Sequence, residues 1–546
     1  MYKLLSLSIC VLFISCNSGT TENTTTADST SAVEVSEATL AKHIERLASD
    51  EFLGRMPFTE GEEKTVNYLK EEFSKLGLKP GNGDSYFQEV PLVEITGTPS
   101  EKMRISGTKG GFSLAYMEDF VALTKKTEKE VSLQNSELVF AGYGIVAPEY
   151  GWNDYEGIDW TGKTAVVLVN DPGFASGDTT LFKGNEMTYY GRWTYKYEEA
   201  GRQGAAGVII IHETEPASYG WNVVQSSWSG AQLNLKSDAP VADVQGWVTQ
   251  EAAKRLFEAS KLNNKNYNEL ALNRDFKPMP MGITASVKIT NEIRRNNSKN
   301  VVALLEGSSR KDEYIIYSAH WDHLGVGRPV DGDSIYNGAV DNASGTAALL
   351  AIAEAFKKGP QPQRSIVFLA VTAEEQGLLG SAHYAENPIY PPQKTVANIN
   401  MDAFESPGPM KDLTITGFGH SEMDSYAKEA AKKQGRYVIP DPEAEKGYFY
   451  RSDHFNFAKI GIPALYAGGS YEDFDNGPEY IKKMNDEYRE KRYHQPADEY
   501  DPETTELSGV QFDVQLLYEV GLKLANEASF PKWYEGSEFK AARENN

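Results

Sequence analysis

Cysteine is almost missing from this chain of 546 residues: Cys10 and Cys16 are the only ones, both near the N-terminus. Disulfide scaffolds, thiol nucleophiles and thiolate metal sites are thereby excluded for everything that follows them. Positive charge is also short. Lys and Arg number 54 against 78 Asp and Glu, a formal charge of −24. The basic surface that nucleic acid demands is not there. After Leu4–Ile14 no long apolar run occurs, so no later segment reads as a membrane span. Internal repeats are lacking too. The hydrophobic content of 40% is ample for sizeable cores, and a chain this long holds more than one domain at roughly 100–200 residues each.

Lys3 followed by the apolar Leu4–Ile14 has the form of a signal peptide, too short to cross a bilayer. The run ends in Ser15-Cys16. A small residue and then cysteine resembles a bacterial lipoprotein signal, with residues 1–16 as the signal and Cys16 as the lipidated residue. That implies a lipid-anchored chain at the bacterial cell envelope, facing the periplasm or the outer surface. Residues 17–36 are rich in Ser, Thr, Asn and Glu and are expected to form a disordered tether.

Residues 37–132 carry two amphipathic helical patterns, Leu40, Ile44, Leu47 and then Val66, Leu69, Phe73, Leu76, followed by a strand at Tyr86–Leu92. Residues 133–290 differ in texture. Val166–Val169 and Val208–Ile211 read as buried strands, with a helix around Tyr197–Gln203 and the small residues Gly204-Ala205-Ala206-Gly207 between them. This pattern resembles the protease-associated domain inserted in several metallopeptidases. Trp193, Trp221, Trp228 and Trp247 are expected in its core, and no catalytic constellation is visible there. Residues 291–530 return to an α/β pattern, and 531–546 read as a C-terminal tail.

The stretch Asp312–Ser381 organises the rest. Tyr314–Ala319 and Ser365–Val371 read as strands buried on both faces, with a helix at Ala343–Phe356 between them. Strand, helix, strand predicts a right-handed crossover in a parallel sheet, with ligands bound beyond the carboxyl ends of the strands. His320 and Asp322 follow the first strand, Asp341 precedes the helix, and Glu374 and Glu375 follow the second strand. Carboxylates gathered in one cleft repel each other, and burying their charge is costly. A divalent cation resolves this. Imidazole and carboxylate without thiolate suit zinc, with manganese or cobalt as the alternatives.

In order along the chain, SAHWDHLG, NGAVDNASGTAALL, VTAEEQGLLGS, NINMDAF, RSDHFNF and YHQPADEYD resemble the motifs of the co-catalytic zinc aminopeptidases of peptidase family M28. The match covers residues 37–92 weakly and 300–528 well. The resemblance implies an α/β fold: a mixed, mainly parallel sheet covered by helices, with the inserted β-rich domain before the catalytic core. It also implies two zinc ions. His320, Asp341 and Asp402 would hold one, and Asp341, Glu375 and His494 the other, with Asp341 bridging. Two such cations about 3.5–4 Å apart can share a hydroxide and clamp a tetrahedral intermediate.

Glu374 is then implied as the general base. Asp322 is implied as the acceptor for the second ring N–H of His320, and Tyr493 as a donor to the oxyanion. Both His454 and His494 lie late enough to reach the rim. The family ligand sits where Tyr precedes His and Asp follows, which fits Tyr493-His494 with Asp498; Ser452-Asp453-His454 resembles the substrate-pocket segment. Arg451 and Glu405, on nearby loops, are candidates to anchor substrate ends. His323 receives no role.

The implied function is hydrolysis of N-terminal residues from peptides. Dipeptidases and carboxypeptidases share the same metal centre. A glutaminyl-cyclase-like aminoacyltransferase works characteristically with one zinc, and a non-catalytic binding ectodomain would not need Glu374; the full set of ligand types argues against both.

Overall fold

Apolar runs become the strands of one sheet. In the computed structural model, which describes residues 33–545 apart from Lys109, Asp238 and Ser406, the part of the sheet that positions the candidate site is built on eight strands. These are β1 (Phe87–Pro99), β2 (Met279–Leu305), β3 (Arg310–His320), β4 (Arg364–Val371), β5 (Thr395–Asn400), β6 (Asp412–Thr416), β7 (Tyr437–Pro440) and β8 (Ala464–Gly468). Their spatial order is β1-β2-β4-β3-β5-β8-β6-β7. β4, β3, β5 and β8 run parallel, as do β6 and β7. β2 is antiparallel to β4, and β6 to β8. The sheet is thus mixed and mainly parallel, as the sequence predicts.

Every residue of β4 and β5 is buried, the mark of strands covered on both faces. The helix Gly345–Lys358 links β3 to β4 and is itself buried nearly all round. It is apolar on every side because helices Glu37–Leu47 and Ser508–Asn526 pack over it while the sheet lies beneath. β4 lies on one side of β3 and β5 on the other. The chain therefore reverses its direction of travel across the sheet here, and the carboxyl ends of these three strands border a topological switch point.

The region expected to be an inserted lobe has a parallel core of Thr164–Leu168, Gly207–Ile211 and Val244–Val248. Trp228 and Trp247 are buried in one of its clusters, with Trp193 and Trp221 packed against it. Met103, Ile105, Leu114 and Phe120 share a second cluster with Phe140 and Ile209, so residues ahead of 133 pack with the lobe. The boundaries expected at 132/133 and 290/291 fall inside continuous strands, Glu130–Phe140 and β2. β2, 27 residues long, pairs with Glu130–Phe140 over its first part and with β4 over its last.

Two terminal expectations are corrected. Val35, assigned to the tether, is buried, and its N–H donates to Gln515 Oε1 at 2.7 Å. The segment 531–545 is no free tail: Trp533 and Phe539 pack with Phe449, Tyr450 and Phe455, and Trp533 Nε1–H donates to the Gly461 carbonyl. Burial of two large rings outweighs the polar character that makes this stretch read as a tail. The signal segment and Cys16 lie outside the described residues. Among the described residues no helix is long and apolar enough to cross a membrane.

Candidate metal centre

β3 ends on His320. Just past β4, Ala373 takes a φ of 53°, and just past β5, Ala403 does the same at 53°. These left-handed residues turn the chain sharply off the sheet and leave Glu374, Glu375 and Asp402 over the strand ends; strained backbone of this kind clusters at functional sites. His494 also has a positive φ, 57°. Asp341 lies in an irregular turn, Ala339–Ser344, at φ −110° and ψ 94°. Gly338 opens that turn at φ 55°, and a Cβ there would lie 2.1 Å from the Asp341 carbonyl and 2.6 Å from the His323 ring, so only glycine fits.

His320 Nε2 lies 3.0 Å from Asp402 Oδ1 and 3.2 Å from Asp341 Oδ1. Its Nδ1–H donates to the main-chain carbonyl of Asp322 at 3.1 Å. That bond fixes the tautomer and turns the Nε2 lone pair toward two carboxylates, an arrangement that is favourable only around a cation or a proton. On the other side of Asp341, His494 Nε2 lies 3.3 Å from Asp341 Oδ2 and 3.1 Å from Glu375 Oε2. It is buried there but makes no hydrogen bond of acceptable geometry with either. His323 Nδ1–H donates to Glu375 Oε1 at 2.6 Å. Glu374 Oε2 stands 3.9 Å from His320 Nε2.

A second layer holds these groups. Ser452 Oγ–H donates to Asp402 Oδ2 at 2.5 Å and accepts from Asn400 Nδ2 at 2.7 Å. Asp498 Oδ2 accepts the N–H of Val340 at 3.1 Å and of Asp341 at 3.2 Å. Asn342 binds the Asp341 turn to the Asp402 turn, donating to the Met401 carbonyl and accepting from Ala403 N–H. Asp322 Oδ1 accepts the N–H of Glu374 at 3.0 Å.

The electrostatics sort these groups into two kinds. Burial and Asp341 oppose ionisation of Glu375, yet His323 and His494 outweigh them and its pKa falls to about 2. Asp341 is likewise held well below the carboxylate range by His320 and His494, against the cost of burial. Glu374 goes the other way: burial first, then Asp402, Glu375 and Asp453, push it well above the usual range. Burial also raises Asp322 to about 7. Adjacent glutamates therefore have different environments, one paired with imidazoles and one left among carboxylates.

The residues named from the sequence separate accordingly. His320, Asp341, Glu375, Asp402 and His494 come together, with Glu374 at their edge. Tyr493 stacks on His494 at 3.9 Å between ring centroids and is 44% exposed. The Asp322 carboxylate stands 3.7 Å from His320 Nδ1, so the hydrogen bond expected of it is made by its own main-chain carbonyl instead. Asp453 and His454, expected at a substrate pocket, are 0% exposed. Asp453 accepts from Ser381 Oγ, and His454 lies against Phe449 and Tyr466; packing has taken both into the interior. Arg451 donates to the Lys446 carbonyl and lies over the Tyr448 ring. Glu405 lines a cavity of about 120 Å³ with Asp402, Phe404, Thr416 and Tyr466, and burial raises its pKa to about 8. Sequence reasoning missed His323, although the spacing in His320-Trp321-Asp322-His323 was visible.

The donor set fits a divalent cation. Ligand atoms of His320, Asp341 and Asp402 lie within 4.8 Å of one another, as do those of His323, Asp341 and Glu375. All are imidazole nitrogens or carboxylate oxygens, the chemistry of zinc sites that lack thiolate.

Residues 300–516 match the profile of peptidase family M28. The aminopeptidase NAALADL1 of Rattus norvegicus is 37% identical over 143 residues, covering 24% of this chain and 18% of that protein. The probable lipoprotein aminopeptidase LpqL of Mycobacterium tuberculosis is 24% identical over 297 residues, covering 48% of this chain and 56% of that protein. The chain thus spans between about a fifth and about half the length of these relatives. Among solved structures, an aminopeptidase from Aneurinibacillus sp. strain AM-1 aligns with a TM-score of 0.48 at 19% identity, covering 91% of this chain and 96% of that one. The matched residues 300–516 carry both the ordered motifs and the strand-end cluster of imidazoles and carboxylates, so this part of the chain is similar to the peptidase family M28 domain.

Proposed function

We propose that this chain is a zinc-dependent exopeptidase that releases the N-terminal residue of peptides. The observation that carries the reading is the pair of donor clusters on either side of Asp341, with the Glu374 carboxyl at their edge. His320, Asp341 and Asp402 would hold one zinc ion, and Asp341, Glu375 and His494 the other. When bound, the cations would polarise the scissile carbonyl and make a nucleophile available at neutral pH.

The remaining work falls to side chains. Glu374 takes the proton of the attacking water and returns it to the leaving amine. Burial among Asp402, Glu375 and Asp453 makes this carboxyl hold a proton more readily than a free glutamate, which suits a group that takes a proton and passes it on. Asp322 holds the Glu374 backbone in place through its N–H. Tyr493, exposed at the rim and stacked on His494, donates its hydroxyl to the carbonyl oxygen as negative charge develops. Glu405 and the cavity beside Asp402 receive the first residue of the substrate. The lobe containing residues 133–290 is a protease-associated insertion that flanks the site. The name of the LpqL relative supports a lipoprotein, with Cys16 as the lipidated residue and the envelope as its location.

The test is incubation of the zinc-loaded protein with a mixed peptide library. Mass spectrometry should find single N-terminal residues released, with loss on chelation and return on adding zinc. Release of C-terminal residues or dipeptides would contradict the aminopeptidase reading. N-terminal cyclisation without hydrolysis would contradict the hydrolase reading altogether.

A further inference from the structure

The segment Asp50–Arg55 lies far outside the matched residues 300–516, yet it reaches the metal-ligand loops. Arg55 is 1% exposed. Its Nε–H donates to the Trp321 carbonyl at 2.9 Å. Nη1 donates to the carbonyls of Leu47 at 2.7 Å and Asn337 at 2.6 Å, and Nη2 to that of Gly338 at 2.9 Å. Trp321 sits between His320 and Asp322, and Gly338 opens the turn that carries Asp341. One guanidinium therefore joins both loops to the end of helix Glu37–Leu47.

The local backbone is bent to make this possible. Leu53, Gly54 and Arg55 have φ of 51°, 63° and 52°, three successive residues in the left-handed region. Gly54 is required, since a Cβ there would lie 2.5 Å from the Tyr336 carbonyl and 2.6 Å from that of Gly325. Such strain persists only where surrounding contacts over-determine it.

We propose that Arg55 is a positioning residue for the metal centre, tying the Trp321–His323 segment to the Asn337–Asp341 turn and so setting the spacing of His320, His323 and Asp341. The inference rests on the metallopeptidase reading above. The fork geometry matters, because arginine offers N–H groups in a fixed plane and lysine does not. The charge matters as well. Burial lowers the Arg55 pKa to about 10, against the pull of Asp322, Asp341, Asp498 and Glu375, so it remains a cation beside the acidic cluster.

The test compares Arg55→Lys and Arg55→Met with a control, Arg364→Lys. Arg364 is also fully buried and donates to main-chain carbonyls, those of Leu524, Ala528 and Ser529, away from the site. Zinc dissociation constants are measured by chelator competition on full-length protein, at a temperature where circular dichroism shows each variant folded. Both Arg55 variants should bind zinc about 10–100-fold more weakly, the range for partners that orient metal ligands, while Arg364→Lys keeps the wild-type constant. Should Arg55→Met not fold, Arg55→Lys alone decides the matter. Wild-type zinc affinity in folded Arg55→Lys overturns this proposal alone. A wild-type protein that binds no zinc overturns the metallopeptidase reading and this proposal with it.

Discussion

Asp322 holds the main chain of Glu374: its Oδ1 accepts the Glu374 N–H at 3.0 Å, while its own carbonyl takes the His320 ring N–H. The two tasks reside on different atoms, so a substitution separates them. Asp322→Ala removes the carboxylate and leaves the carbonyl. We predict a turnover lower by about 10–100-fold, the usual cost of losing such a support, with zinc content unchanged by elemental analysis. Loss of zinc in Asp322→Ala would mean that the carboxylate orients His320 after all.

Asp341 faces both halves of the centre, with one oxygen near His320 and the other near His494. Asp341→Ala should therefore lose both metals, whereas Asp402→Ala should lose mainly the one shared with His320. Plasma emission spectroscopy of dialysed protein reads the difference directly. An unchanged stoichiometry in Asp341→Ala would remove the bridging assignment.

His454 gives a stability prediction independent of metal. It is fully buried, neither ring nitrogen has a hydrogen-bond partner among the described residues, and burial lowers its pKa from 6.5 to about 3. Its folded pKa thus lies below its unfolded one. The unfolded chain takes up a proton first as pH falls, so the stabilising contribution is complete above about 6.5 and lost on the way down to 3. The full loss is on the order of 5 kcal/mol, at about 1.4 kcal/mol per pH unit between 6.5 and about 3. His454→Phe, between Phe449 and Tyr466, should flatten this dependence and be at least as stable near pH 5 in chemical denaturation. An unchanged acid profile would show that His454 does not titrate in this way.

Cys16 lies outside the described residues, but the lipoprotein reading is open to test in cells. Wild-type protein should partition into the detergent phase and take up labelled lipid. Cys16→Ser should do neither. Equal partitioning of the two would count against the anchor.

Legibility followed burial. β3 and β4 were readable because strands covered on both faces need unbroken apolar runs; the proposed ligand set came through the resemblance to family M28, His494 above all, since it follows a charged helix and not a strand. Asp453 and His454 misled for the converse reason: the resemblance of Ser452-Asp453-His454 to a substrate-pocket segment points them at an open site, and only tertiary packing takes them inside. Helix Pro478–Lys491, which leads into Tyr493-His494, went unread because it buries chiefly Ile481 and Tyr488 and is otherwise charged. Arg55 sits in a stretch that looks like a plain turn, and its carbonyl partners are 266 or more positions away for all but Leu47. No local pattern encodes such a contact.

The central claim is that Glu374 moves the proton while Glu375 holds metal, and one paired measurement tests it most directly: zinc content and turnover of Glu374→Gln beside Glu375→Gln. Glutamine keeps the shape but cannot take a proton near neutrality. Glu374→Gln should keep both zinc ions and lose about 10²–10⁴-fold in turnover, the usual contribution of a general base. Glu375→Gln should instead weaken zinc binding at the half shared with His494. Zinc loss in Glu374→Gln together with retention in Glu375→Gln would show the adjacent pair to be reversed, and full activity in Glu374→Gln would contradict the mechanism itself.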